Sequence, residues 1–508
     1  MLIRKFSFLI SAVLLIVAAV HAQGPSFIPN QQLFPNPNGT SSTQSIAGSI
    51  DLTGPFFQSL GTNGRTCGSC HQPSDGMSVS ADHAQERFIT SDGLDPIFRP
   101  VDGANCNHGL DFSTVAARSD AYSLLRTRGL IRIAITVPAT ADFVVTNANN
   151  QYGCTETGTV SMYRRPLPST NLRFLSTVMF DGRESTPITG TTKICNPIIT
   201  NCDPVALAND LKHQSLDATT GHAEGLGDRP TPDEQQQIVD FEMALSTAQM
   251  TATAAGRLDA RGAYGGPVPL VTQPFFISVN SSVQFILNSL GLVGPEVPGG
   301  LTTPGDGSFT PAIFNLYNAW SGLPYPDPRS AIARGQALFN SKPIIITGVA
   351  GINDDKLDGG LVSGGVPSLT GTCGTCHDTP NVGNHSFPTP LNIGVGDFAG
   401  PAATASKGGL DLSYLPRITV CKKDSVTGAA TDICTTTSDL GQAAIDGKYA
   451  HVGKLKGPIL RGLSARAPYF HNGSAQTLLD AVRFYEIRFG VSFNQQEESD
   501  LVSFLSAL

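Results

Sequence analysis

The chain has 508 residues, of which 53 are glycine, 35 are proline and only 15% are charged. This composition is typical of roughly two to four domains built from short elements and long loops. The formal charge of −8 argues against nucleic acid and anionic membrane surfaces as partners.

Residues 1–22 form a predicted signal peptide. Arg4 and Lys5 precede an apolar run from Phe6 to Val20, and Ala22 ends a Val-His-Ala string that suits signal peptidase. This order predicts cleavage after Ala22 and a periplasmic or otherwise exported chain, with an uncleaved anchor as the alternative. No later segment has the length and apolarity of a membrane span, so none is expected in the mature chain.

Two strings of the form Cys-x-x-Cys-His lie about 300 residues apart: Cys67-Gly-Ser-Cys70-His71 and Cys373-Gly-Thr-Cys376-His377. Two cysteines at this spacing can form thioether bonds to one haem edge, and the histidine that follows can ligate the iron. A zinc ribbon usually places its cysteine pairs about 15–20 residues apart. Neither a zinc ribbon nor a thioredoxin-like pair needs the following histidine. The sequence therefore predicts two covalently bound haem c groups.

Six further cysteines remain, and an even number in an exported chain favours disulfides. Sequence proximity suggests the pairs Cys195–Cys202 and Cys421–Cys434, which leaves Cys106–Cys154. Six cysteines allow 15 connectivities, so other pairings stay open.

The clearest helices lie after residue 200. Thr231 and Glu234 form a capping box before an apolar stripe that predicts a helix to about Gln249. The other predicted helices run from Asp203-Pro204 to near Gly221, from about Ser330 to Asn340, onward from a cap at Ser474, and from about Asn494 to the end.

These elements predict a mainly α fold of two tandem cytochrome c-like domains, each with one haem. The N-terminal domain is expected over residues 23–327, with insertions, and the C-terminal domain over 328–508. Residues 256–327 are rich in glycine and proline and are expected to form a long connection.

The chain resembles the bacterial dihaem cytochrome c peroxidases, a family that includes the MauG maturation enzymes. The resemblance is carried by Lys456–Arg461, by the Ala-Pro-Tyr-Phe-His-Asn-Gly string over 467–473, and by Leu478–Tyr485. In the first domain, Phe180-Asp-Gly-Arg183 is similar to a family element.

The resemblance implies that hydrogen peroxide reacts at the haem of His71. The haem of His377 would relay electrons from a periplasmic donor, either a small cytochrome c or a cupredoxin. Family members carry a glutamine and, ten residues later, a glutamate beside the reactive haem. Gln214 and Glu224 match that spacing, so we expect Gln214 to position the peroxide and Glu224 to transfer its proton.

The second ligand of the C-terminal iron is expected to be Tyr485. Methionine is the usual family ligand, but no methionine follows Met250, whereas the MauG branch also has tyrosine at this place. A tyrosine ligand would lower the reduction potential relative to methionine. His385 and His451 are the rival ligands.

Three departures from the family pattern stand out. Phe180 replaces the usual tryptophan between the haems, and the one tryptophan of the chain is Trp320. The family often binds calcium between its domains, but Arg165 and Arg466 stand near two ligand positions, so calcium is doubtful although backbone carbonyls remain. His83 does not match the spacing of a distal ligand, so the N-terminal iron is expected to be open or water-bound.

Three functions remain open from the sequence. The first is a peroxidase that takes electrons from a small redox protein. The second is MauG-like oxidation of a protein or organic substrate, which Tyr485 favours and Phe180 disfavours. The third is a non-catalytic dihaem electron carrier, against which the spacing of Gln214 and Glu224 argues.

Overall fold

The computed structural model describes residues 26–154, 158–185, 204–225, 227–275, 312–354, 356–357, 362–363, 366–386, 389–400 and 409–508. The predicted signal peptide, residues 1–22, and the predicted Cys195–Cys202 disulfide lie outside these residues. Within them, no helix is both long and apolar enough to cross a bilayer.

The described residues form nine α-helices: α1 Ala81–Ser91, α2 Val115–Ala121, α3 Ser123–Arg128, α4 Pro204–His222, α5 Pro232–Ala244, α6 Pro328–Ser341, α7 Ala443–Asp446, α8 Leu478–Phe489 and α9 Gln495–Ser506. The strands are β1 Phe27–Pro29, β2 Phe34–Asn36, β3 Gly39–Ser45, β4 Ser49–Asp51, β5 Ile131–Thr136, β6 Phe143–Asn149, β7 Thr159–Arg164, β8 Leu245–Ala252, β9 Gly256–Arg257, β10 Ile344–Ile346, β11 Lys356–Leu357, β12 Val362–Ser363, β13 Leu369–Gly371, β14 Arg417–Lys423 and β15 Ala430–Thr437.

The predicted mainly α fold is wrong: the described residues are 31% helix and 20% strand and form a mixed α/β fold with several antiparallel sheets. The largest described sheets have the strand orders β2-β3-β8-β9 and β15-β14-β6. Short runs rich in valine, isoleucine and threonine form the strands, as in β5 (IRIAIT) and β14 (RITVCKK). Such residues suit a pleated, half-buried surface. The overall glycine and proline content predicted long loops and did not identify these strands.

Strand pairing also joins distant parts of the chain. Strand β6 pairs with β14, so one sheet contains residues from both predicted domains. The disulfides Cys421–Cys434, which links directly opposed residues of β14 and β15, and Cys106–Cys154 are both present, as predicted.

Several helix boundaries follow the predicted caps. Thr231 and Glu234 form the capping box of α5, and Asn494 caps α9. However, α5 ends at Ala244, before the predicted Gln249, because the chain continues into β8, which pairs with β3. Helix α8 is capped by Thr477 rather than Ser474, because the Thr477 hydroxyl accepts from the Asp480 amide.

The core of the C-terminal region is built around the crossing of α6 and α9. Gly335 of α6 lies so close to Asp500 that a Cβ atom would be 2.0 Å from its carbonyl oxygen. This approach lets Phe339 and Phe504 pack edge to face, with ring centroids 5.6 Å apart. The Phe339 ring also lies 6.0 Å from the ring of His377, so the core directly supports the second Cys-x-x-Cys-His motif.

A buried guanidinium joins the N-terminal and C-terminal parts of the chain. Arg165 donates to the carbonyl oxygens of Arg128 (2.6 Å), Arg466 (2.9 Å) and Val79. Burial lowers the pKa of Arg165 to about 10. These bonds are valuable because a buried carbonyl that loses its donor costs about 1–3 kcal/mol.

We expect the substitution Arg165→Met to lower the free energy of unfolding by about 3–5 kcal/mol, because three buried carbonyls lose their donor while the apolar stem is kept. Urea unfolding would measure the change. The control is Arg257→Gln, which removes an exposed ion pair with Asp259 and should change stability by less than about 1 kcal/mol. A loss for Arg165→Met as small as that of the control would contradict the expected role.

Candidate functional site

The two Cys-x-x-Cys-His motifs have the same local structure. Each begins with a 3₁₀ turn, Cys67–Ser69 or Cys373–Thr375, and each turn is closed by a capping box. The histidine amide then donates to the carbonyl of the first cysteine at 3.0 Å in both motifs. The turn places both thiols and the imidazole on the wall of one cavity.

Each motif histidine is oriented by a backbone carbonyl. His71 Nδ1 lies 3.0 Å from the Met77 oxygen, and His377 Nδ1 lies 2.8 Å from the Gly383 oxygen. A carbonyl accepts from Nδ1–H, so Nε2 carries the lone pair that a metal needs. Burial lowers the pKa of both imidazoles to about 4, which keeps them neutral.

The cavity beside His71, here called the first cavity, has a volume of about 170 Å³. Two carboxylates and three further polar side chains are among its lining residues: Asp102, Glu242, Gln58, Gln214 and His222. The second cavity, beside His377, has a volume of about 250 Å³, and none of its described lining residues is a carboxylate.

His222 and Asp102 form a pair on the wall of the first cavity. His222 Nδ1 donates to Asp102, which also accepts from the buried guanidinium of Arg65. Burial alone would raise the pKa of Asp102, but Arg65 and His222 hold it below its usual value. The ionised Asp102 can therefore orient the imidazole, as the carboxylate of a catalytic triad does.

Gln214 and Glu224 have different places in the structure. Gln214 lies in α4 and lines the first cavity, as the predicted positioning role requires. Glu224 follows the end of α4 with a left-handed backbone (φ 54°), and its side chain is exposed and outside the set that lines the cavity. The predicted pair is thus not brought together at the cavity wall.

Glu242 is the second carboxylate of the first cavity, and the sequence analysis did not select it. It lies in α5 and is 6% exposed, and its Oε2 atom has no hydrogen-bond partner among the described residues. Burial raises the pKa of Glu242 to about 8, although a hydrogen bond with Ser169 lowers it. The sequence pattern that could have identified Glu242 is a glutamate within the apolar stripe of α5, where a buried carboxylate is unusual.

Tyr485 faces His377 in the second cavity. Its hydroxyl lies 3.5 Å from His377 Nε2. Burial raises the pKa of Tyr485, which keeps the phenol protonated in this environment.

The two rival ligands are placed less favourably. His385 lines the second cavity, but its Nδ1 lies 3.0 Å from the Cys376 carbonyl and 3.5 Å from Asp378. His451 is not among the lining residues, and its Nδ1 contacts Asp446 at 2.5 Å. His83, which pairs with Asp75, is likewise outside the first cavity.

Phe180 and Lys456 line both cavities, together with Arg165 and three residues of the 166–168 segment. The Lys456 amide donates to the Phe180 carbonyl at 2.7 Å, and this bond holds the two shared lining residues together. Burial lowers the pKa of Lys456 to about 7. Burial therefore favours the neutral amine, and an anionic group such as a haem propionate would favour its protonated form.

The donor set therefore fits a haem in each cavity: two thiols and a neutral imidazole whose Nδ1 is bonded to a backbone carbonyl. The guanidinium of Arg165 lies near the place where the family often binds calcium. Backbone carbonyls are ligands that calcium takes, but those of Val79, Arg128 and Arg466 are bound by Arg165.

No protein-family model matches the chain, and no curated protein matches it.

We expect Glu242 to make stability depend on pH. Folding raises its pKa from 4.5 to about 8, so the folded chain keeps a proton that the unfolded chain releases between these values. Stability should therefore fall as the pH rises through this interval. Glu242→Gln cannot ionise, so it avoids this fall in stability. Its free energy of unfolding minus that of the unchanged chain should therefore be about 3–5 kcal/mol larger at pH 9 than at pH 5.

Urea unfolding at both pH values measures this difference. The control is Glu86→Gln on the exposed face of α1, which should shift stability equally at both. The same relative stability of Glu242→Gln at pH 5 and pH 9 would contradict a protonated, buried Glu242.

Proposed function

We propose that this protein is an exported dihaem c-type cytochrome that reduces hydrogen peroxide at the His71 site, with electrons relayed through the His377 site. The observation that carries the proposal is the difference between the two cavities. The first contains Gln214, His222 and Glu242, whereas in the second Tyr485 faces the motif histidine. The resemblance to dihaem peroxidases supports the same division.

The cysteines of each motif would hold one haem by thioether bonds, and His71 and His377 would ligate the irons. A haem iron supplies one-electron chemistry and a binding position for peroxide. Tyr485 would be a second protein ligand of the iron held by His377, and the first site would remain the one for substrate.

Proton handling in the first cavity falls to His222. Reduction of peroxide needs a base that takes a proton from one oxygen and returns it to the other. His222 Nδ1 is held by Asp102, so Nε2 is available for this transfer. Gln214 can donate a hydrogen bond that positions the peroxide. Glu224 keeps its predicted role only if its exposed side chain turns toward the cavity.

Electrons would come from a small cytochrome c or a cupredoxin. Phe180 and Lys456 line both cavities, so these residues would lie between the two sites. Phenylalanine does not accept an electron hole readily, so electrons would pass between the sites without residing on that side chain.

A second candidate is MauG-like oxidation of a protein or organic substrate. The observation that favours it is the 3.5 Å approach of Tyr485 to His377, the arrangement expected for tyrosine ligation. A non-catalytic electron carrier is the third candidate, and it requires both irons to be closed by protein ligands.

We expect the substitution His222→Gln to lower peroxide turnover roughly 10²–10⁴-fold, because glutamine can still bond Asp102 but cannot take up the proton. The measurement is steady-state peroxide consumption by the purified holoprotein with reduced cytochrome c. The control is His83→Gln, which alters a histidine–carboxylate pair outside the cavity.

Collapse of turnover in Glu224→Gln but not in His222→Gln would make Glu224 the base. No turnover by the unchanged protein, with a ferric spectrum that peroxide does not alter, would favour the electron carrier.

We expect Tyr485→Phe to change the absorption and EPR signature of one haem only, because the phenol oxygen is lost from one iron. Tyr152→Phe, which alters a half-buried tyrosine outside both cavities, serves as the control and should leave both signatures unchanged. An unchanged spectrum for Tyr485→Phe would eliminate the tyrosine ligand.

A further inference from the structure

Three metal-binding side chains meet outside the two cavities. Glu184, His213 and Asp217 each place one ligand atom within 4.8 Å of the others. Among the described residues this is a combination of one imidazole and two carboxylates, so it differs from a purely acidic surface cluster. His213 and Asp217 are exposed, whereas Glu184 is 5% exposed.

The local structure explains why the three side chains meet. His213 and Asp217 are four residues apart in α4, so they lie on the same face of the helix. Glu184 follows Asp181, and the buried Asp181 is held by Arg164 and Arg183. The turn therefore presents Glu184 to α4 from a fixed position.

In the present contacts Glu184 is paired with His213 and Arg183, and the hydrogen bond to Glu184 raises the pKa of His213. His213 Nδ1 lies 2.7 Å from Glu184 Oε2, and Arg183 approaches the other oxygen of Glu184 at only 3.7 Å. Burial raises the pKa of Glu184, and Asp217 raises it further. A divalent cation would offset both carboxylates.

We propose that Glu184, His213 and Asp217 bind a divalent transition-metal ion, with zinc as its simplest representative. Imidazole and carboxylate oxygen are both zinc ligands, with bonds of about 2.0–2.2 Å. Ligand atoms of a tetrahedral zinc ion lie roughly 3.3 Å apart. The His213–Glu184 separation of 2.7 Å would thus need to widen by less than about 1 Å.

The position of this site connects it to the first cavity. Arg183 and Gln214 are the direct chain neighbours of Glu184 and His213, and both line that cavity. A bound ion would cross-link α4 to the Phe180–Ser185 turn and so stabilise one wall of the cavity. The site itself does not depend on the proposed peroxidase activity.

Equilibrium dialysis of the purified holoprotein against zinc chloride tests the proposal, with zinc and iron measured by mass spectrometry in the same sample. The iron content reports haem loading independently of zinc. We expect one zinc ion per chain that is lost or weakened about tenfold or more in His213→Ala and in Asp217→Asn. His451→Gln is the matched control, because His451 pairs with Asp446 without a third ligand.

The thermal midpoint supplies a second measurement. Zinc should raise the midpoint of the unchanged protein and of His451→Gln, but not that of His213→Ala, because a ligand that binds only the folded state stabilises it. Both substituted ligands are exposed, so the variants are expected to fold. Equal zinc binding by the unchanged protein and by His213→Ala, or no zinc binding by either, would overturn the proposal.

Discussion

A buried ion cluster centred on Arg164 is the interaction on which the rest of the structure depends. Its guanidinium binds Asp439 through Nε at 2.7 Å and Nη2 at 2.8 Å, and it binds Asp181 through Nη1. Mutual attraction keeps both carboxylates ionised despite their burial and holds their pKa values below the usual range. Removing one partner of such a cluster leaves a buried charge uncompensated. Its geometry therefore fixes how β7, the Phe180–Ser185 turn and the C-terminal region meet.

The Phe180–Ser185 turn contributes residues to three parts of the structure. Phe180 forms part of the wall between the two cavities, Arg183 lines the first cavity, and Glu184 reaches toward α4. The Phe180–Ser185 turn can thus position the connection between the proposed haems, part of the wall of the first cavity and the candidate metal cluster. The electrostatic anchor determines their relative placement more strongly than the weak apolar periodicity of the surrounding segments.

The two cavities share a construction but differ in chemistry. In both, a capped turn presents two thiols and a neutral imidazole, and Lys456 lines both cavities. The first cavity adds a carboxylate-oriented histidine and a buried acid, whereas the second places a phenol opposite its imidazole. Identical Cys-x-x-Cys-His motifs therefore lie beside side chains of different chemistry in the two cavities.

The sequence by itself determined the features that depend on neighbouring residues: the two Cys-x-x-Cys-His motifs, the Cys421–Cys434 link, and the caps at Thr231 and Asn494. Such features follow from short-range geometry or from a recognisable string. Tertiary structure alone decided the sheets, because β6 and β14 are more than 250 residues apart and neither strand specifies its partner. It also decided that Asp102 meets His222, 120 residues away, that Glu242 faces a cavity, and that Glu224 is exposed. Burial and long-range contacts set these outcomes, and neither can be read from local spacing.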